Sequence, residues 1–157
     1  MTDRSRLPWA FELPGFFAIS NDWAPGKGPI AVRNGTSYAI ETVRAGNQRV
    51  LRARLADANF FFQEDMKVPL RNRVEQLKGM AFHKDLGSMY EKTIRITELA
   101  ESIARLMGMD EVGTRVVREA AWVCKADLTT LLVSEFPELQ GTMGREYLLA
   151  QGEDGRV

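Results

Sequence analysis

The feature that most constrains the fold is a change of hydrophobic period near Tyr38. Before it, two short apolar runs, 16–19 and 30–32, flank a stretch rich in proline and glycine, a pattern typical of two strands and a connecting loop. After it, apolar residues recur every three or four positions, as in amphipathic helices. We therefore predict a mainly α-helical fold with a small N-terminal β-hairpin, in which residues 1–35 form the edge of a preceding domain and residues 36–157 form the helical domain.

Local signals predict where the helices begin and end. A stripe of apolar residues predicts a long helix over about 38–66, and Pro69 opens a shorter amphipathic piece. Ser88 and Glu91 have the S-x-x-E spacing of a capping box, which predicts the start of the next helix. Gly108 closes that helix and Asp110 caps another, whose periodicity continues through Leu131 until Pro137. A last helix is predicted over about 138–150. The stripes are Val43, Val50, Leu51, Leu55, Ala58 and Phe62 in the first helix, and Ile96, Leu99, Ile103 and Leu106 in the second.

Two residue counts exclude several classes of protein. The 157 residues include one histidine, His83, and one cysteine, Cys124. They can form neither an intramolecular disulfide nor a zinc site of four cysteines or of paired cysteines and histidines. No apolar run approaches the roughly 18 residues that span a bilayer, and the first residues do not resemble a signal peptide. These observations predict a cytoplasmic protein with no membrane contact.

The net charge of zero conceals two opposed segments. Lys and Arg total 21, as do Asp and Glu, but residues 33–54 hold five arginines and one acid, and residues 134–154 hold five acids and one arginine. A basic segment of this kind suits contact with the phosphates of a nucleic acid. The alternative is that these arginines pair with the acidic segment, or that their stems cover the long helix.

Five stretches carry a family resemblance. They are AVRNG (31–35), GNQRVLRARLADA (46–58), FFFQED (60–65), CKADL (124–128) and EFPELQGTMG (135–144). In order and spacing they resemble the central region of the β subunit of bacterial heterotetrameric glycyl-tRNA synthetases. The resemblance implies a non-catalytic piece of a longer subunit that supports recognition of tRNA(Gly). It also implies an α2β2 assembly in which the α subunit adenylates glycine with ATP and Mg, and no cofactor in this piece itself.

The resemblance further implies an HD-like helical bundle whose metal site has been lost. Lys92 stands where HD-type phosphohydrolases have a histidine, and Cys124 and Lys125 stand where they have a His-Asp dyad. An ammonium group has no lone pair for a metal, so we predict no HD metal centre. The two lysines then either bind phosphate or are ordinary solvated residues. The predicted tRNA-binding residues are Arg44, Arg49, Arg52, Arg54, Lys92 and Lys125. The alternatives are a divergent HD-type metal-dependent phosphohydrolase and a purely structural interaction module.

Three further features have a structural interpretation. Phe60, Phe61 and Phe62 can stack on bases, but a run of three aromatic residues on a helix favours one or two in the core. Cys124 falls on the apolar face, which favours core packing over nucleophilic chemistry. His83 suits a loop or capping position better than a catalytic one.

Overall fold

The structure, a computed structural model, describes residues 37–157. The chain divides between residues 60 and 61 into two compact units. The predicted N-terminal hairpin over residues 1–35 lies outside the described residues. The long helix predicted over 38–66 is present as α1, Ile40–Asp65. A turn centred on Ala39, whose φ of 52° is left-handed, precedes it.

The second unit is almost entirely helical. After α1 come a 3₁₀ segment over Leu70–Gly79, strands β1 (Ala81–His83) and β2 (Gly87–Ser88), and helices α2 (Met89–Leu106) and α3 (Glu111–Val123). A 3₁₀ turn over Ala126–Thr129, helix α4 (Leu131–Glu135), a 3₁₀ turn over Pro137–Leu139 and helix α5 (Thr142–Ala150) complete it. The prediction of a mainly α fold is therefore confirmed for the described residues, which also contain one small hairpin.

The predicted helix caps are present. Ser88 Oγ accepts from the Glu91 amide while the Glu91 carboxylate accepts from the Ser88 amide, which is a complete capping box. Asp110 caps α3 by accepting from the Gly113 amide at 2.7 Å. Each cap satisfies amides that the first helical turn leaves without a partner in the helix.

Two predicted helix boundaries were wrong and one element was missed, because a periodic pattern does not contain the packing that decides them. The helix predicted to run through Leu131 ends at Val123, where the chain enters a 3₁₀ turn. The last helix begins at Thr142 instead of about 138, because a separate 3₁₀ turn precedes it. The hairpin formed by β1 and β2 was not predicted. It is antiparallel and pairs Ala81 with Ser88 and His83 with Gly87.

The core of the second unit joins α3, α4 and α5 to the 3₁₀ segments. Its most deeply buried side chains include Leu70, Leu77, Leu132, Met143 and Tyr147. The apolar stripe of α2 contributes less than its periodicity indicates, because Leu99, Ile103 and Leu106 are exposed. Over residues 37–157, the helices lack the length and apolarity that crossing a bilayer requires.

Candidate nucleic-acid contact surface

Lys92 and Lys125 both lie within electrostatic range of the Cys124 thiol. Lys92 lies in the first turn of α2, and Lys125 is the second residue after the end of α3. Both ammonium groups act electrostatically on the Cys124 thiol and lower its pKa, although partial burial is the larger influence and raises it. Both lysines named from the sequence therefore contribute positive charge near Cys124.

Cys124 itself is exposed, so its predicted place in the core was wrong. The helical periodicity that assigned it to the apolar face stops one residue earlier, at Val123. Its raised pKa keeps the thiol protonated at neutral pH, which argues against a nucleophilic role.

Neither Lys92 nor Lys125 has a carboxylate at salt-bridge distance within residues 37–157. Lys92 instead places its Nζ 3.8 Å from the centroid of the Phe82 ring. Lys78 makes a similar contact with Tyr90 at 4.6 Å but also pairs with Glu75. Among the described residues, Lys92 and Lys125 are thus positive charges without a neutralising partner, as expected of groups that contact an anion.

The nearby acid Asp127 is engaged by the backbone and does not neutralise the lysines at close range. Its Oδ2 accepts from the amides of Gly141 (2.6 Å) and Gly144 (3.1 Å), which holds the start of α5. Its Oδ1 is buried and has no hydrogen-bond partner within the described part of the chain. Burial raises the pKa of Asp127, against the lowering effect of the two amides and of Lys125. Asp127 therefore shapes the segment that follows Lys125.

The side chains that would hold a metal are dispersed in the part of the chain that the structure describes. Residues 37–157 contain no group of three or more His, Cys, Asp or Glu side chains that could share an ion. The other deeply buried acid, Asp65, is hydrogen-bonded to Arg73, Tyr147 and two backbone amides. The donor set therefore does not fit an HD-type centre.

The four candidate arginines all lie on α1, in the described part of the first unit. Arg44 donates to Glu41 at 3.0 Å, one turn away. Arg49 and Arg52 are exposed and form no ion pair within the described residues. At about 100° per residue they share a face of the helix, and Arg54, which is partly buried, points away from it. The arginines thus do not form one continuous stripe.

Part of the acidic segment is neutralised by arginines of the second unit. Arg71 donates to Glu153 at 2.8 Å and to Glu119 at 3.1 Å, and the pKa of Glu153 is lowered by this pairing. Asp154 pairs with Arg156 and Glu146 with Arg145. The ion pairs of Arg71 could not be predicted from the sequence, because its partners lie 48 and 82 residues away.

The aromatic run at 60–62 is divided between surface and interior. Phe60 is exposed, whereas Phe61 and Phe62 are partly buried. The Phe62 ring stacks on Tyr147 with centroids 5.2 Å apart and planes at 12°. The prediction that one or two of the three pack in the interior is confirmed for Phe62.

Comparisons with known proteins match most of the chain to one family. The model of the family described as "Glycyl-tRNA synthetase beta subunit" matches residues 26–157. The chain is 48% identical over 128 residues to the glycine–tRNA ligase beta subunit of Bacillus subtilis (strain 168), covering 82% of this chain and 19% of that protein. It is 49% identical over 145 residues to that of Geobacter sulfurreducens (strain ATCC 51573 / DSM 12127 / PCA), covering 90% and 20% respectively. The chain thus spans about a fifth of the length of the curated relatives it matches.

Proposed function

Because the chain belongs to the glycyl-tRNA synthetase beta-subunit family, we propose that it serves as a tRNA(Gly)-contacting part of glycine–tRNA ligase. In this proposal it acts within a longer β subunit, in the cytoplasm, and works together with an α subunit in an α2β2 assembly. The α subunit carries glycine, ATP and Mg. The 157 residues of this chain supply contacts to the tRNA and no catalytic group.

The observation that supports this proposal best is the pair of unneutralised lysines beside Cys124. Most protein contacts to a nucleic acid go to its phosphates, and they come from Lys and Arg side chains that are free to pair with them. Lys92 and Lys125 meet that requirement within the described residues, whereas Lys78 is neutralised by Glu75. Arg49 and Arg52 offer a second set of contacts on α1.

The two alternatives have less support. A metal-dependent phosphohydrolase needs several neutral imidazoles and carboxylates around one ion, and residues 37–157 do not provide such a cluster. A purely structural module does not require lysines without ion-pair partners. The structural module is therefore the alternative that a tRNA-binding experiment has to distinguish from RNA contact.

The test is the affinity of the complete ligase for tRNA(Gly) at several salt concentrations. We expect Lys92→Gln with Lys125→Gln to weaken binding and to reduce the magnitude of the logarithmic salt slope by about one for every phosphate that the variant no longer neutralises. Lys78→Gln is the matched control, because this lysine also lies over an aromatic ring but is already paired. Unchanged affinity and slope in the double variant would favour the structural module.

The arginines of α1 are tested separately. Replacing Arg49 and Arg52 by Glu reverses two exposed charges, and we expect a larger loss of tRNA affinity than from Arg44→Glu, since Arg44 is already paired with Glu41. A loss of binding free energy that is only twice the loss from Arg44→Glu would show that α1 acts only through its total charge, because the double replacement changes the charge by twice as much.

A further inference from the structure

The hairpin of β1 and β2 presents an aromatic ring to solvent. All three residues of β1 are exposed, and Phe82 exposes 38% of its surface. The same short element carries His83 and Lys84, which are also exposed. An exposed Phe next to basic groups is the combination by which proteins hold unpaired bases of RNA.

The hairpin is held firmly against α2. Arg95 Nη2 donates to the Leu86 carbonyl at 3.0 Å, and the Met89 amide donates to the Met80 carbonyl at 2.8 Å. The capping box of Ser88 and Glu91 fixes the junction between β2 and α2. The backbone that carries Phe82 is therefore positioned before any ligand arrives, which lowers the entropic cost of binding.

Two lysines near Phe82 have no ion-pair partner among the described residues. Lys92 Nζ lies 3.8 Å from the ring centroid, and neither Lys92 nor Lys84 forms an ion pair within residues 37–157. The Glu91 carboxylate accepts hydrogen bonds from the amide and the hydroxyl of Ser88. Asp85, which is exposed, is the acidic residue within the hairpin. His83 Nδ1 accepts from the Asp85 amide at 3.2 Å.

We propose that Phe82 stacks on an unpaired base of the RNA while Lys92 and Lys84 contact the phosphates beside that base. This inference rests on the proposed function and adds a contact of a different kind to it. The lysines contribute an attraction that depends on salt, whereas stacking on Phe82 does not depend on it. A protein partner at the same surface would be insensitive to whether the RNA base is paired.

The experiment measures binding of tRNA(Gly) to the complete ligase carrying Phe82→Ala, Phe82→Trp or Leu86→Ala. We expect Phe82→Ala to weaken binding about tenfold with an unchanged salt slope, and Phe82→Trp to restore affinity. In Phe82→Trp, tRNA(Gly) should also quench a fluorescence component that is absent from the unmodified enzyme. Leu86→Ala is the control, because Leu86 is an exposed apolar side chain of the same hairpin without a ring.

The outcomes separate this inference from the function on which it rests. If Phe82→Ala and Leu86→Ala have the same effect, or none, stacking is wrong, even where Lys92→Gln still weakens binding. If none of the lysine, arginine and phenylalanine variants alters binding, the proposed function fails as well. A short single-stranded RNA and the same RNA in a duplex, used as probes, should differ in their sensitivity to Phe82→Ala. Equal sensitivity would also overturn the stacking contact.

Discussion

The hydroxyl of Tyr147 donates to Asp65 Oδ2 at 2.8 Å, joining α5 to the end of α1 across 82 residues of sequence. The carboxylate of Asp65, which is 1% exposed, also accepts from the amides of Leu131 (2.9 Å) and Leu132 (3.0 Å) and from Arg73 Nη2 (3.2 Å). Each oxygen thus has two donors. This one side chain connects the end of α1, the Leu70–Gly79 segment, α4 and α5, and it satisfies amides at the start of α4.

Removal of the Asp65 charge should destabilise the second unit strongly. We expect Asp65→Ala to lower the free energy of unfolding by about 3–5 kcal/mol, because it leaves the guanidinium of Arg73 buried without its partner. Urea denaturation measures the change. Asp85→Ala, at an exposed acid of the hairpin, should stay within about 0.5 kcal/mol of the unmodified chain. Equal effects at the two positions would contradict the role given to Asp65.

The Tyr147 hydroxyl contributes separately from the ring. Tyr147→Phe keeps the stacking against Phe62 and removes one of the donors to Asp65, so we expect a loss of about 1 kcal/mol. Combined with Asp65→Asn in a double-mutant cycle, the two changes should be coupled by about 0.5–3 kcal/mol. Strict additivity would show that the hydrogen bond adds nothing to stability.

Gly87 is required where the hairpin enters α2. Its φ is +80°, and a Cβ at this position would overlap the Glu91 carboxylate. Gly87→Ala should therefore cost about 1–2 kcal/mol for the left-handed backbone and about 1 kcal/mol more for the displaced cap. Gly79→Ala is the matched control, because nothing lies within 4 Å of its added Cβ, and thermal unfolding of the two variants gives the comparison.

Asp127 should make stability fall as the pH rises. Burial raises the pKa of Asp127 above the ordinary value of an aspartate, so the folded chain binds this proton more tightly than the unfolded chain. The stability of the unmodified chain relative to Asp127→Asn should then increase as the pH falls from 7 toward about 4. Urea denaturation across that range measures the difference.

Glu153 should show the opposite sign. Arg71 lowers the pKa of Glu153 below the ordinary value of a glutamate, so the pair stabilises the fold above that value and is lost as the pH falls through the lowered pKa. The advantage of the unmodified chain over Glu153→Gln should therefore shrink on acidification. If the stability difference from the unmodified chain changed in the same direction with pH for both variants, one of the two pKa shifts would be wrong.

Much of the helical framework was predicted from local signals. The stripe over 38–66 corresponds to Ile40–Asp65, and the caps at Ser88 and Asp110 are where their spacing placed them. These features depend on residues within one or two helical turns of each other, so a single sequence contains them. The hairpin at 81–88 was missed because its strands are three and two residues long, too short for an alternating pattern.

The candidate surface was predicted in part. Lys92 and Lys125 were named from a resemblance, and α2 and α3 place both beside Cys124. Phe82 was not named, because its significance lies in its contact with Lys92, ten residues later, and in its exposure. Neither property is visible in a pattern of residue types.

The sequence by itself determined the helical class, the positions of the helix caps and the residue types available for a site. Those properties follow from backbone propensity, short-range hydrogen bonds and side-chain chemistry. Only the tertiary structure decided which charges are neutralised. Arg71 and Arg73 are paired with acids distant in sequence or buried, whereas Lys92 and Lys125 are unpaired within the described residues. The reason is physical: whether a charge stays free to bind an anion depends on the distances to all other charges and on its burial, and both arise only when the elements pack.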